Sequence, residues 1–298
     1  MRSPSLGISI TGQSVQAVEV AKNGLISTLL AIDEWENPIA PGDGEPDPHA
    51  LELLTEYLAA FLKVNRAKSI DASIALDTAS LFIHRLPIEA QSPEATIRDQ
   101  IRWEIEQYFP GSETSEFISD FHRMSRFPSI RQDEVLSVSL RRRTAKALEQ
   151  VLSTLSLKLH ILDADHFSAE AALRLNYPDS LRRHIAFIGV KPGRLDMSML
   201  KNGNLESYSY SIPESTAAIA EEIGSLSRQH AGVFSIVVYG PALTSELLQD
   251  IRRRSATLVE ALNPLRQVTV ADSLRVADHL STPSYRFAAA IGVALRRD

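Results

Sequence analysis

The sequence predicts an α/β protein made of two similar halves, with a small α+β subdomain inserted between them. A pattern of three strands, a helix and a further strand occurs twice along the chain, which indicates two related units. With 298 residues, of which 44% are hydrophobic, the chain is long enough to bury two cores. We expect the first half at residues 1–86 and 160–184, the insert at 87–159 and the second half at 185–298.

The first half opens with a three-stranded meander. Its strands are LGISI, VQAVEV and LISTLLAIDEW, joined by turns that contain Thr-Gly and Asn-Gly. Asn-Gly favours a two-residue hairpin because it supplies the positive φ angles that this turn requires. After the loop NPIAPGDGEPDP, a cap at Asp47 and a proline at Pro48 predict a helix. Its apolar face is formed by Leu51, Leu54, Leu58, Phe61 and Leu62. The strand SIDASIAL completes the unit.

The second half repeats the same order of elements. HIAFIGV, RLDMSML and NLESYSYSI form its meander, and the helical ESTAAIAEEIGSLSRQ and the strand VFSIVVYG follow. The two copies together predict a protein with approximate twofold symmetry.

The insert begins with a helix that Ser92 is expected to cap, with Pro93 in its first turn. One apolar stripe runs along this helix before Pro110 ends it, formed by Ile97, Ile101, Ile105 and Tyr108. The alternating strand VLSVSL and the amphipathic helix TAKALEQVLSTL follow, and they predict an α+β subdomain.

Composition excludes several classes of protein. A net charge of -6 argues against general binding to nucleic acid, which needs a basic surface. The absence of cysteine excludes disulfides and a thiol nucleophile and fits a reducing compartment. The N-terminus has no apolar core like that of a signal peptide, and the longest apolar run, AAAIGVAL, is too short to cross a bilayer. We therefore expect a cytoplasmic protein that reaches a membrane through a partner or through a surface of its own.

Several segments, in this order and spacing, resemble one family. They are LGISITGQSVQAVEV, IRDQIRWEIEQYFP, LHILDADHFSAEAALR, HIAFIGVKPGRLDMSMLKNG, VVYGPAL, ALNPL and YRFAAAIGVALR. The chain resembles the PilM family, actin-like cytoplasmic proteins of type IV pilus assembly, and more distantly FtsA of cell division. The resemblance implies a duplicated actin-like, ribonuclease H-like fold, with two βββαβα-type halves around a cleft and an inserted subdomain.

In that family the cleft holds ATP and magnesium, with turn amides on the phosphates and acidic residues near the metal. This chain departs from the family motifs on both strands. Ser9 stands at the first acid position, Thr11 at a glycine position and Gln16 at the lysine position, and Phe187 stands at the second acid position. We therefore expect no catalytic residue and no metal ligand in the cleft, since phosphoryl transfer depends on placed charge and metal.

Further departures lie in the second half. The turn after Lys191 reads KPG and is expected to be longer and stiffer than the family's turn, and the adenosine-binding stretch YGPA keeps one glycine, Gly240. Only about one helix separates Ile212 from Val233, so the lid subdomain is expected to be reduced or missing.

The remaining residues of a degenerate nucleotide cleft are Thr11, Gly12, Gln13, Gly189, Lys191 and Gly240. No cofactor is expected, because the family's charged groups are missing. The alternative is an ATP-binding actin-like ATPase with atypical loops, because backbone amides alone can hold phosphate.

A cluster of acidic residues and histidine invites a metal-site interpretation: Asp163, Asp165, His166 and Glu170. We prefer a structural interpretation in which Asp165 caps a helix, because no second histidine lies at ligand spacing.

Three other features of the sequence each allow a functional and a structural interpretation. The runs Arg141 to Arg143 and Arg252 to Arg254 could meet anionic lipid or an acidic partner, but solvated surface is the preferred interpretation. Trp103 lies off the apolar stripe of its helix, where burial is preferred over a role as a partner anchor.

The resemblance implies an adaptor that binds the N-terminal cytoplasmic tail of a PilN-like membrane protein, in a groove beside the insert, at the inner membrane. Other pilus or secretion platform proteins are further expected partners, and self-association stays open. The alternatives are the atypical ATPase and a scaffold of a type II secretion system or of cell division.

Overall fold

Three sheets organise the chain. The computed structural model describes residues 4–24, 26–38, 46–124, 132–179, 182–230, 232–275 and 282–296. Most of the loop NPIAPGDGEPDP, residues 39–45, lies outside these ranges.

The described ranges contain fourteen strands and eight α-helices. The first seven strands are β1 (Ser5–Ile10), β2 (Ser14–Asn23), β3 (Ile26–Glu36), β4 (Asp71–Leu76), β5 (Phe82–Glu89), β6 (Phe117–Met124) and β7 (Gln132–Arg141). The others are β8 (Lys158–Ala164), β9 (His184–Lys191), β10 (Arg194–Lys201), β11 (Asn204–Ser211), β12 (Ser235–Tyr239), β13 (Leu258–Ala261) and β14 (Val268–Val270). The helices are α1 (Pro48–Asn65), α2 (Glu94–Tyr108), α3 (Arg142–Thr154), α4 (Asp165–Asn176), α5 (Thr216–Gln229), α6 (Ser245–Arg254), α7 (Asp272–Arg275) and α8 (Ala288–Leu295).

The first sheet has the order β14-β3-β2-β1-β4-β8. β1, β2 and β3 form the predicted antiparallel meander, and β4 and β8 run parallel to β1. Asp47 caps α1, as predicted, because its side chain accepts the backbone N–H of His49. Leu54, Leu58 and Phe61 of α1 are buried against this sheet.

The second sheet has the order β11-β10-β9-β12-β13, and its meander is also confirmed. Asn202 and Gly203 have φ angles of 51° and 75°, which confirms the two-residue turn that Asn-Gly predicts. The turn after Lys191 is shorter than expected. Arg194 pairs directly with Lys191, so only two residues connect β9 to β10. Between β11 and β12, α5 is the one helix that the structure describes.

The insert is built on a third sheet, of order β5-β7-β6, and α2. The cap expected at Ser92 is wrong: α2 begins after Pro93, and the Ser92 hydroxyl donates to the Glu89 carbonyl instead. Ile97, Ile101 and Ile105 are buried as predicted, while Tyr108, expected on the same stripe, is 54% exposed.

The limits of the insert differ from those expected. Its sheet already begins at Phe82, because β5 pairs with β7 along its whole length. α3 belongs to the first half, since Leu148, Val151 and Leu152 share a buried cluster with Phe61 of α1. The insert sheet therefore spans Phe82 to Arg141.

The insert also packs against the second half. Met124 and Leu136 of the insert share one buried cluster with Leu205 and Tyr208 of β11. Both halves therefore support this subdomain.

The last elements of the chain pack on the first half. This differs from the expectation that residues 185–298 all belong to the second half. β14 pairs in parallel with β3, and α8 packs on β1 and on α4. Ala288 to Ala294 of α8 are buried at this position. No helix in the described ranges has the length and apolar character needed to cross a membrane.

Candidate functional site

A buried ion cluster joins the two halves at the base of the cleft. Lys191 is the last residue of β9, and its side chain is 2% exposed. Its Nζ lies 3.0 Å from Asp77 Oδ1, 2.7 Å from Asp165 Oδ1 and 2.8 Å from Asp196 Oδ2. It also donates to the Thr78 hydroxyl at 2.7 Å. One ammonium therefore contacts four oxygen atoms.

These oxygen atoms come from both halves. Asp77 follows β4 and Asp165 begins α4, both in the first half, while Asp196 lies on β10 of the second. The Thr78 hydroxyl donates to Asp196 Oδ2 at 2.6 Å, which adds a direct bond between the halves. Arg194 contributes a second cation, with its Nε 3.0 Å from Asp196 Oδ1. Three carboxylates thus share two cations.

Asp196 contacts both Lys191 and Arg194, whereas Asp165 contacts Lys191. The pKa values of these two carboxyl groups differ accordingly. Burial raises the pKa of Asp165 to about 7, and the neighbouring charges of Asp77 and Asp196 add to this against the attraction of Lys191. Burial also opposes ionisation of Asp196, yet the positive charges of Lys191 and Arg194 outweigh it and hold its pKa well below the usual range. The carboxylates around Lys191 likewise outweigh its burial and raise the pKa of the ammonium.

The turn between β1 and β2 forms the first wall of the cleft. The Gly12 amide donates to Asp77 Oδ2 at 3.0 Å, and the amides of Gln13 and Ser14 point to Thr11 Oγ1 at 3.4 and 3.0 Å. In the alternative ATPase hypothesis, Thr11, Gly12 and Gln13 would offer such amides to phosphate. In this structure each of these N–H groups has an acceptor within the chain.

Gly189 lies on the opposite wall of the cleft, next to the side chain of Tyr239. A Cβ atom at this position would come 2.7 Å from the hydroxyl of Tyr239, the residue paired with it on β12. That hydroxyl bonds His166 Nδ1 at 2.9 Å, and His166 Nε2 bonds the Ser198 hydroxyl at 2.9 Å. Burial lowers the pKa of His166 to about 3, so the imidazole is neutral at pH 7. Phe187 stacks on Tyr239, which makes this wall an aromatic core.

Gly240 has a structural requirement for glycine. Its φ is 120°, and a Cβ atom would overlap the Val190 carbonyl oxygen. Its amide donates to the Tyr285 carbonyl at 3.3 Å. The surviving glycine of the YGPA stretch is thus explained by its backbone angle and the close approach of β9.

A second connection between the halves lies at the lysine position of the family motif. Gln16 donates to Glu34 Oε1 at 3.0 Å, and Arg286 Nη2 lies 3.3 Å from the same oxygen. Arg286 Nη1 donates to the Pro241 carbonyl at 2.7 Å. The Gln16 side chain therefore takes part in a contact that extends from β2 to the YGPA turn.

The acidic and histidine cluster of the sequence does not converge on one site. Asp163 accepts from the Ser168 hydroxyl, and Glu170 pairs with Arg174. The N-cap interpretation of Asp165 is wrong, because Ala164 holds that position and the Asp165 carboxylate turns to Lys191. Within the described ranges, no group of three histidine or acidic side chains is arranged to hold a metal ion.

Trp103 is 56% exposed, so the burial preferred for it is wrong. The surface interpretation of the arginine runs agrees with the structure, in which Arg142, Arg143 and Arg252 to Arg254 are exposed. Each run also has contacts inside the chain, because Arg254 pairs with Asp250 and Glu221 and Arg142 donates to backbone carbonyls.

Sequence reasoning missed four members of the ion cluster, Asp77, Thr78, Arg194 and Asp196. Asp196 interrupts the apolar strand RLDMSML, and Asp77 directly follows the apolar end of SIDASIAL. An acid within or at the end of a buried strand needs a partner, and this was the available signal.

A groove runs between the insert and the first half. Its volume is about 1070 Å³, and it is lined by β6 and β7 of the insert and by α3, β8 and α4 of the first half. Its apolar residues include Ile118, Leu140, Leu159 and Phe167, and its charged residues include Glu149, Glu170, Lys146 and Arg174. The groove therefore presents apolar surface together with charges of both signs.

Comparison with known proteins supports the resemblance. The family model described as type IV pilus assembly protein PilM matches residues 7–208, which is more than half of the chain. Among curated proteins, none matches this sequence.

Solved structures share the fold. A structure described as a PilM-PilN type IV pilus biogenesis complex has a TM-score of 0.75 at 17% identity, and the match covers 99% of each chain. A Bacteroides thetaiotaomicron protein with an actin-like ATPase fold has a TM-score of 0.55 at 12% identity, covering 88% of this chain and 91% of that one. The ethanolamine utilization protein EutJ from Carboxydothermus hydrogenoformans has a TM-score of 0.53 at 11% identity, covering 99% and 90%. The predicted actin-like fold is thus confirmed.

Proposed function

Because the chain belongs to the PilM family of type IV pilus assembly proteins, we propose that it is an adaptor which binds the N-terminal cytoplasmic tail of a PilN-like membrane protein. The structure described as a PilM-PilN complex, which this chain matches over nearly its full length, supports this partner. The observation that carries the proposal is the groove between the insert and the first half.

The groove suits a short amphipathic segment of protein. Its volume of about 1070 Å³ lies just above the range for small-molecule sites, which ends at about 1,000 Å³. Ile118 of β6 is 42% exposed and lines the groove, so it offers apolar surface to a partner. Lys146 and Glu149 on α3 can pair with charges of either sign on that partner.

We further infer that the cleft does not use a magnesium nucleotide. Lys191 holds the position between the three carboxylates, and the Asp77 carboxylate takes the Gly12 amide. The Tyr239 hydroxyl covers Gly189. The residues present do not fit the bound group without displacing these contacts, which supports the adaptor over the atypical ATPase.

The proposed place of action is the cytoplasmic side of the inner membrane. The tail of the partner would hold the protein there, so membrane attachment depends on the groove.

Binding of a synthetic PilN-like tail peptide, measured by fluorescence anisotropy, tests the adaptor function. We expect Ile118→Asp to weaken binding by roughly tenfold or more, because it replaces an apolar contact with a charge. Ile212→Asp is the matched control, since Ile212 is 73% exposed and does not line the groove. Absence of peptide binding to the unmodified protein, or equal binding by Ile118→Asp, contradicts the proposal.

Calorimetry with ATP and magnesium tests the inference that the cleft does not use a magnesium nucleotide. We expect no heat of binding at millimolar nucleotide. Saturable heat would instead support the ATPase alternative, in which Thr11, Gly12, Gln13 and Lys191 contact the phosphates.

A further inference from the structure

We propose that Lys191 and Asp77 form an internal ion pair that takes the place of a metal cation and a phosphate anion between the two halves. The inference goes beyond the adaptor function and does not depend on which partner the groove binds. It concerns how the halves are held together, and both members of the pair support it.

Lys191 occupies a cation position that is made of oxygen atoms. Three carboxylate oxygens and one hydroxyl surround its Nζ at 2.7 to 3.0 Å. Carboxylate and hydroxyl oxygens are the ligands that Mg²⁺ and Mn²⁺ prefer in proteins. The ammonium therefore supplies positive charge where a hard cation would otherwise be needed.

Asp77 occupies an anion position that is made of donors. Its Oδ2 accepts the Gly12 amide at 3.0 Å, and its Oδ1 accepts the Ala79 amide at 3.0 Å and the Lys191 ammonium at 3.0 Å. Turn amides together with a lysine are the donor set that binds phosphate in many proteins. In this chain an aspartate receives them.

The pair spans the interface, because Asp77 belongs to the first half and Lys191 to the second. Removal of the ammonium would leave three buried carboxylates facing one another, which is strongly unfavourable. A divalent cation could then neutralise them, after the oxygens had moved inward by about 0.7 Å to reach the ligand distance of Mg²⁺. The native chain needs no such ion.

Thermal unfolding of Lys191→Ala, with and without millimolar Mg²⁺ or Mn²⁺, tests this inference. Without a divalent cation we expect the Tm to fall by about 10 °C relative to the unmodified protein. The added cation should restore about 5 °C of this loss, because it enters the space that the lysine has left. The unmodified protein should show no change with either ion.

Two variants control for this result. Lys191→Met fills the space without charge, so it should lose stability and gain nothing from the cation. Lys201 is an exposed lysine that ends β10, just as Lys191 ends β9. The Tm of the Lys201→Ala protein should therefore stay unchanged in all conditions.

Three outcomes would overturn the inference. The first is that divalent cations neither raise the Tm of the Lys191→Ala protein nor, if this protein fails to fold, allow it to fold. The second is equal stabilisation of Lys191→Ala and Lys191→Met, which would mean that the ions act elsewhere. The third is stabilisation of the unmodified protein, which would mean that Lys191 does not occupy the cation position. None of these measurements involves the peptide, so failure of this inference leaves the adaptor function untouched.

Discussion

Gly292 of α8 crosses Ser168 of α4 so closely that a Cβ atom on Gly292 would overlap the Ser168 carbonyl oxygen. The two helices contact each other through their backbones at this point. Because α8 also packs on β1, this crossing fixes the position of the last helix on the first sheet.

Gly292→Ala should lower the free energy of unfolding by about 3 kcal/mol, because helix backbones cannot yield as a flexible side chain can. Alanine is otherwise the better helix former, so a loss identifies the crossing as its cause. Denaturation by urea measures the effect. Gly12→Ala is the control, since its Cβ would meet only Asp77 Oδ2 at 3.8 Å. Equal stabilities of the Gly292→Ala and unmodified proteins would contradict the close packing.

Asp165→Asn should change how stability depends on pH. The pKa of Asp165 is about 7 in the folded protein and near 4 in the unfolded chain. Between these values the folded state keeps a proton that the unfolded state has released, so the free energy of unfolding falls as pH rises from about 4 to 7. The asparagine variant should lose this slope in urea titrations at several pH values. Burial raises the pKa of Glu170 as well, and a slope of the same sign remains from it. Identical slopes for the two proteins would contradict the assignment.

Tyr239→Phe should cost about 1–3 kcal/mol of stability, because it leaves the buried Nδ1 of His166 without its partner at 2.9 Å. The ring and its stacking on Phe187 are kept. Tyr210→Phe serves for comparison, since Tyr210 is 52% exposed and should tolerate the change. If both variants unfold at the same urea concentration as the unmodified protein, the Tyr239 hydroxyl has no structural role.

Arg286→Ala should loosen the second connection between the halves. Arg286 contacts Glu34 in the first half and the Pro241 carbonyl in the second. Both side chains of the ion pair are partly exposed, so we expect a global loss of about 1 kcal/mol or less. The clearer result should be faster hydrogen exchange of backbone amides around Pro241. Arg228→Ala, which removes a surface pair with Glu221, should leave that exchange unchanged.

The parts of the fold that depend on neighbouring residues could be predicted from the sequence. The hairpin at Asn202-Gly203 and the start of α1 at Asp47 follow from backbone angles and capping, which act over a few residues. The expected cap at Ser92 shows the limit of this approach, because its hydroxyl had a competing acceptor in the Glu89 carbonyl.

The ion cluster could not be predicted in the same way. Lys191 is 114 positions away from Asp77 in the chain, and 26 positions from Asp165. Comparison with family motifs identifies which acids are missing at Ser9 and Phe187, but it does not reveal acids supplied from other positions. Those positions become neighbours only when the two sheets come together.

The insert rests on both halves, since Met124 and Leu136 share a buried cluster with Tyr208. The Tyr208 hydroxyl also donates to Asp196 at 2.7 Å, so this side chain contacts both the insert and the ion cluster. Any rotation of one half against the other would have to shift Tyr208 and, with it, the subdomain that forms one side of the groove. The width of the groove therefore depends on the angle between the halves, so a mutation in the ion cluster should also alter peptide binding at the groove if the proposed adaptor function holds.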